Sequence, residues 1–206
     1  MLFDILALIS ILVFILLLRR LTNVFPALMA CTIRWKESVN LEASVKQSID
    51  RDVLAAGMIL PFCLVADRFG LYSPPWMMSM GADMNLVLII AIFLAYFLIR
   101  TAVFRMIHPR KLNPKTYKTA GRAAFTFFIL LGLTLILMGG TLSFLKIDKE
   151  IIRSAMLCVS GFIYALFLLR KFQIFNSGCS FFTAFLYLCA LEFFPTGVLV
   201  ASAIIF

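Results

Sequence analysis

The sequence predicts an all-α, polytopic membrane protein, and three observations predict it. Of 206 residues, 63% are hydrophobic and 14% charged, whereas soluble domains run at about 45–50% and about 25%. The mean hydropathy is +1.05, which leaves too little polar surface to face water. Apolar runs recur along the chain, and the basic residues gather between alternate runs. Six crossings of about 20 residues use roughly 120 positions, so no separate soluble domain fits. The expectation is a single integral-membrane domain over residues 1–206.

The first run, residues 2–18, is nearly all Leu, Ile, Val and Phe and closes on Arg19 and Arg20. It lacks the basic leader of a cleavable signal and is expected to stay as an anchor. Residues 22–50 are expected to lie at the membrane without crossing it. Their apolar part, 24–33, is too short to span, and Arg34, Trp35 and Lys36 mark an interface. Leu41, Val45 and Ile49 recur every four residues with Glu42, Lys46 and Asp50 between them, the pattern of an amphipathic helix on the cytoplasmic face. The second run, 53–66, is short and contains Gly57 and Pro61, so it crosses only if extended or shielded by neighbours. The loop after it carries Ser73-Pro74-Pro75-Trp76. The third run is 86–104. Asn113-Pro114 then supplies an N-cap and first-turn proline for the fourth, 123–145. The fifth and sixth are 151–169 and 180–204. Gly132 and Gly139 lie seven residues apart, nearly on one face, which lets a neighbouring helix come close.

Charge supports this layout. Fifteen Lys and Arg fall on one side of the six runs, including Arg19, Arg20, Arg51, Arg100, Arg122, Arg170 and Lys171. Arg68, Lys146, Lys149 and Arg153 fall on the other. Such a bias places the basic side in the cytoplasm and both termini outside. The net charge of +9 is therefore matched to anionic lipid at the basic loops rather than to nucleic acid.

Glu192 is the candidate functional residue, because it interrupts the sixth run near its centre. An acidic or basic residue at a helix centre costs about 2.5–3.5 kcal/mol against lipid, so the side chain is expected to face inward. Cys189, Glu192 and Thr196 fall at i, i+3 and i+7 as a narrow polar stripe. Pro195 has no N–H, so the carbonyl of Leu191 loses its helical partner and the helix should bend. A neutral carboxyl there can donate to a carbonyl; a charged one needs a cation. Arg100, one turn after Tyr96, is the favoured partner, ahead of Arg122 and Arg51. A membrane carboxyl beside a freed carbonyl also suits proton or cation handling.

Other features carry less. Asp50 and Asp52 flank Arg51 and could hold Mg²⁺, yet i and i+2 point to different faces, and a solvated helix start is the simpler reading. His108 before Pro109 reads as a helix-end cap. The five cysteines occur singly, with no ligand-spaced cluster, so neither a metal nor a cofactor is expected. No phosphate-loop, GxSxG or HExxH pattern occurs.

The run Leu186-Tyr187-Leu188-Cys189-Ala190-Leu191-Glu192-Phe193-Phe194-Pro195, preceded by Lys171-Phe172-Gln173-Ile174-Phe175, resembles a family of six-helix inner-membrane proteins of Bacteroidota whose function is unknown. The resemblance implies a Gram-negative inner membrane and makes Tyr187, Glu192 and Pro195 signature positions; it implies no activity. The residues favour a non-enzymatic accessory or assembly component of an envelope complex, with protein partners in the membrane. A small proton- or cation-coupled transporter using Glu192 is the alternative, and a lipid-modifying enzyme the third.

Overall fold

The structure, a computed structural model, describes residues 2–72, 74, 81–106 and 113–205. Among these residues the chain is all-helical: α1 (Leu2–Ile33), α2 (Trp35–Ala43), α3 (Val45–Arg68), α4 (Ala82–Met106), α5 (Pro114–Phe144), α6 (Lys149–Asn176) and α7 (Phe181–Leu188), then a π-helical turn (Cys189–Phe193) and α8 (Phe194–Ile205). Five helical stretches are long and apolar enough to cross a membrane: Phe3–Ile33, Asp83–Met106, Pro114–Phe144, Lys149–Asn176 and Phe181–Ala201. Ser73, Pro75, Trp76 and His108 lie outside the described residues.

Helix α1 does not stop at Leu18. Arginine is a good helix former, and Arg19 and Arg20 are carried on the exposed side while the helix runs on through Pro26 to Ile33. Its 32 residues span about 48 Å. The two halves do different things. Leu8, Ile11, Leu12, Ile15 and Leu16 point outward, whereas Val24, Leu28 and Cys31, at i, i+4 and i+7, are fully buried. The buried set packs on Leu41, Leu54, Ala55, Ile129 and Leu130.

The stripe expected over 41–49 is broken. Ser44 adopts an extended conformation (φ −87°, ψ 106°) that ends α2 and starts α3. Leu41 is buried on α2, but Val45 and Ile49 on α3 are 73% and 54% exposed. The side chains turned inward are Ser48, Asp50 and Arg51. This reverses the soluble arrangement, because here the polar groups find their partners inside the protein.

Helix α3 is long but not among the five most apolar stretches. Its neighbours explain how it is accommodated: α1, α4 and α5 all pack on it, and Leu54, Ala55, Met58, Phe62, Cys63 and Ala66 are buried. Helix α5 lies deepest and packs on α3 and α6. Asn113 caps it, with Oδ1 accepting from the Lys115 N–H at 3.0 Å ahead of Pro114. Helix α6 runs to Asn176, seven residues past the end expected at 169. Helix α4 packs on α3 and on the π-turn and α8, rather than closely on α5, its neighbour in sequence.

Gly132 and Gly139 of α5 sit where packing requires a glycine. A methyl group on Gly132 would lie 2.7 Å from Met58 Cε; on Gly139 it would lie 2.9 Å from both Met156 Cε and Phe69 Cε2. Nothing lies within 4 Å of the same position on Gly140. Gly139→Leu should therefore destabilise by about 1–3 kcal/mol through overpacking. Gly140→Leu should change stability by less than about 0.5 kcal/mol. Thermal melts of both variants in mild detergent check the contrast.

Candidate functional site

Glu192 is 1% exposed and sits in the π-turn. Pro195 accounts for that turn. With no N–H it cannot bond the Leu191 carbonyl, and its ring crowds the turn before it. The backbone widens instead of only bending: the Phe194 N–H reaches back five residues to the Cys189 carbonyl, and the Tyr164 hydroxyl approaches the Glu192 carbonyl at 3.4 Å. Glu192 and Thr196 of the expected polar stripe line one cavity.

The Glu192 carboxylate is held by two cations from two different helices. Arg100 of α4 grips it with both edges of its fork, Nε to Oε2 at 3.1 Å and Nη2 to Oε1 at 2.5 Å. Lys171 of α6 donates through Nζ to Oε1. Lys171 is fully buried and Arg100 is 12% exposed. Inside a low-dielectric bundle such pairing offsets the cost of burying each charge alone. The three charges sum to one net positive charge, and aromatic faces receive it. Lys171 Nζ lies 5.4 Å from the ring centre of Phe104 and 5.7 Å from those of Phe167 and Phe175; the Arg100 guanidinium lies 5.8 Å from that of Phe167. Cation–π contacts within about 6 Å contribute roughly 0.5–1 kcal/mol when exposed and about 2 kcal/mol when desolvated.

Lys171 lies beyond the expected end of the fifth run at 169, yet it belongs to α6 and is fully buried. The signal was present: Phe167, Lys171 and Phe175 are spaced by four, which sets the lysine at the centre of an aromatic helix face. The remaining expected residues divide. Thr196 pairs through Oγ1 with the Tyr96 hydroxyl at 3.1 Å, one turn from the ion triad. Tyr187 packs on Phe175 with ring centres 6.1 Å apart, and Cys189 is a half-buried free thiol. Neither forms part of the charge cluster.

A cavity of about 180 Å³ adjoins the triad. Its walls are aromatic, with Phe62, Phe93, Phe97, Phe127 and Phe128 among them, and its polar margin is Arg100, Glu192, Tyr96, Tyr164 and Thr196.

A second cluster centres on Glu42 of α2, which the sequence pattern had left on a solvent face. Its carboxylate takes Arg122 Nη1 at 2.7 Å, Arg51 Nη2 at 3.2 Å and Lys118 Nζ at 3.3 Å. Arg51 is 2% exposed and also binds Asp52 at 2.8 Å, while Asp50 turns away to Arg20 at 2.9 Å. The two carboxylates flanking Arg51 thus serve different cations and do not converge. Among the described residues no cluster of His, Cys, Asp and Glu could hold a metal ion.

The triad makes the order of three substitutions predictable. Glu192→Gln leaves two buried cations without their anion and should cost about 3–5 kcal/mol. Lys171→Met leaves a neutral Arg100–Glu192 pair and should cost less. Arg100→Met removes the bidentate grip and should fall between them. Detergent melting temperatures check the ranking, and a Lys171→Met loss equal to that of Glu192→Gln would contradict it. Comparison with known protein families, curated proteins and solved structures finds no match to this chain.

Proposed function

We propose that the chain is a non-enzymatic accessory or assembly component of an envelope complex in a bacterial inner membrane, crossing six times with both termini outside. The observation that carries this reading is the closed state of Glu192. Both carboxylate oxygens are engaged by buried cations. A proton or cation carrier must release its site once per cycle, and here release would leave Arg100 and Lys171 without their anion inside the bundle. The triad therefore serves as a staple joining α4, α6 and the C-terminal helix.

Two further features support the reading. Helix α3 is shielded by α1, α4 and α5, which suits it to be the sixth crossing that the charge bias requires. In this reading the Glu42 cluster and α2 face the cytoplasm, beside anionic headgroups. The first half of α1 presents Ile5, Leu8, Leu12 and Ile15 outward, at three- and four-residue spacing that suits a partner helix as well as lipid.

Transport remains the second reading because one observation favours it: the aromatic cavity of about 180 Å³ reaches the triad, and π-turns are frequent at functional sites.

Reporter fusions at the two ends should report the same side of the membrane; opposite sides would mean that α3 does not cross. In proteoliposomes, wild type and Glu192→Gln should show the same background proton flux. A wild-type flux well above that of protein-free liposomes would replace the assembly reading with transport. Co-purification in mild detergent should return a reproducible membrane partner, and replacing Leu8 and Leu12 by alanine should weaken its recovery.

A further inference from the structure

Helices α4 and α5 are consecutive in sequence, yet α4 leans on α3 and α8 instead of on α5. Long side chains bridge the gap: Phe97 meets Phe128 edge to face, and Tyr117 stacks on Phe104 and donates to its carbonyl at 2.6 Å. Between these bridges lies a recess of about 310 Å³. From α4 it is lined by Arg100, Thr101, Phe104 and Arg105, and from α5 by Lys118, Gly121, Arg122 and Phe125, with Asp52 of α3 at its edge. Arg100 lines both this recess and the aromatic cavity beside the triad.

The recess has one chemical sense at each end. Arg105 and Lys118 are exposed at its mouth, on facing helices, and Arg122 is 32% exposed beside them. Four cations, Arg100, Arg105, Lys118 and Arg122, and one carboxylate, Asp52, line it. Beyond Arg100 the walls turn to phenylalanine. Cations at an opening followed by an apolar interior match a molecule with an anionic head and a hydrocarbon tail. A free anion would use only the first half of that arrangement.

We propose that the α4–α5 recess is a binding site for an anionic phospholipid. Its phosphate rests between Arg105, Lys118 and Arg122, and one acyl chain passes Arg100 toward the aromatic cavity. The phosphate supplies the negative charge that the cation excess lacks. Gly121 is needed in the wall of the recess, since a methyl group there would lie 2.5 Å from the Phe104 ring.

The full chain, purified in a neutral maltoside detergent, provides the test by thermal melting. Dioctanoyl phosphatidylglycerol should raise the melting temperature saturably. Dioctanoyl phosphatidylcholine, glycerol 3-phosphate and inorganic phosphate at equal concentration should not. Arg105→Gln combined with Lys118→Gln, both exposed and away from the triad, should raise the half-saturating phosphatidylglycerol concentration by about thirtyfold. The proposal is overturned if inorganic phosphate or glycerol 3-phosphate reproduces the shift, which would show an anion site without a tail. It is equally overturned if phosphatidylcholine matches phosphatidylglycerol, or if the double variant keeps the wild-type half-saturation.

Discussion

A carboxylate surrounded by hydrocarbon must be paired, and much of this molecule follows from how Glu192 meets that demand. Its partners come from α4 and α6, elements far apart in sequence, so satisfying one charge fixes the relative position of three helical segments. The surplus positive charge then needs its own accommodation, which explains why three phenylalanine rings converge on Lys171. Pro195 completes the arrangement. By forbidding a regular turn it produces the π-turn that carries Glu192, while Tyr164 approaches the Glu192 carbonyl. An aliphatic cluster of equal volume could pack as tightly, but it would not select one register of α4 against α6.

The Glu42 cluster repeats the same principle at the level of α2 and the start of α3. One half-buried carboxylate collects cations from α3 and α5, and Ser48 accepts from Arg122 at 2.7 Å. Polar side chains therefore gather inside, while Val45, Ile49 and the first half of α1 point out. Lipid reverses the usual preference. Apolar surface loses nothing by being exposed to acyl chains, whereas an unpaired polar group loses several kcal/mol. Burial of charge is in this chain a better mark of the protein interior than burial of leucine.

That reversal also decides what the sequence could and could not disclose. Composition alone sufficed for an all-helical chain with membrane-length apolar stretches, and the cost of a central acid was enough to turn Glu192 inward and to favour Arg100 as its partner. The Asn113-Pro114 start of α5 was local chemistry and was legible as such. Helix ends were not. An apolar run stops at its first charges, but backbone hydrogen bonds do not, so α1 passes Arg19 and Arg20 and α6 passes Arg170 and Lys171. The same habit concealed Lys171, because a basic residue at the edge of a run is counted as a loop residue. Glu42 was hidden for another reason. Ser44 breaks the helix, and a stripe drawn across 41–49 joined residues that belong to two elements.

Arg100 occupies the one position where these constraints meet, and its chemistry explains why a lysine would serve less well. The planar fork grips both oxygens of Glu192, so the headgroup has a fixed orientation, and one of its faces lies over Phe167. A guanidinium fixed in this way lines both the aromatic cavity and the basic recess. Lysine, a single rotatable point charge, would hold Glu192 from one side only. The gap between α4 and α5 is thus maintained by the staple itself: α4 is drawn toward the C-terminal helix by Arg100, and α5 is held on the other side by α3 and α6. The interaction that rigidifies the bundle also keeps two of its consecutive helices apart.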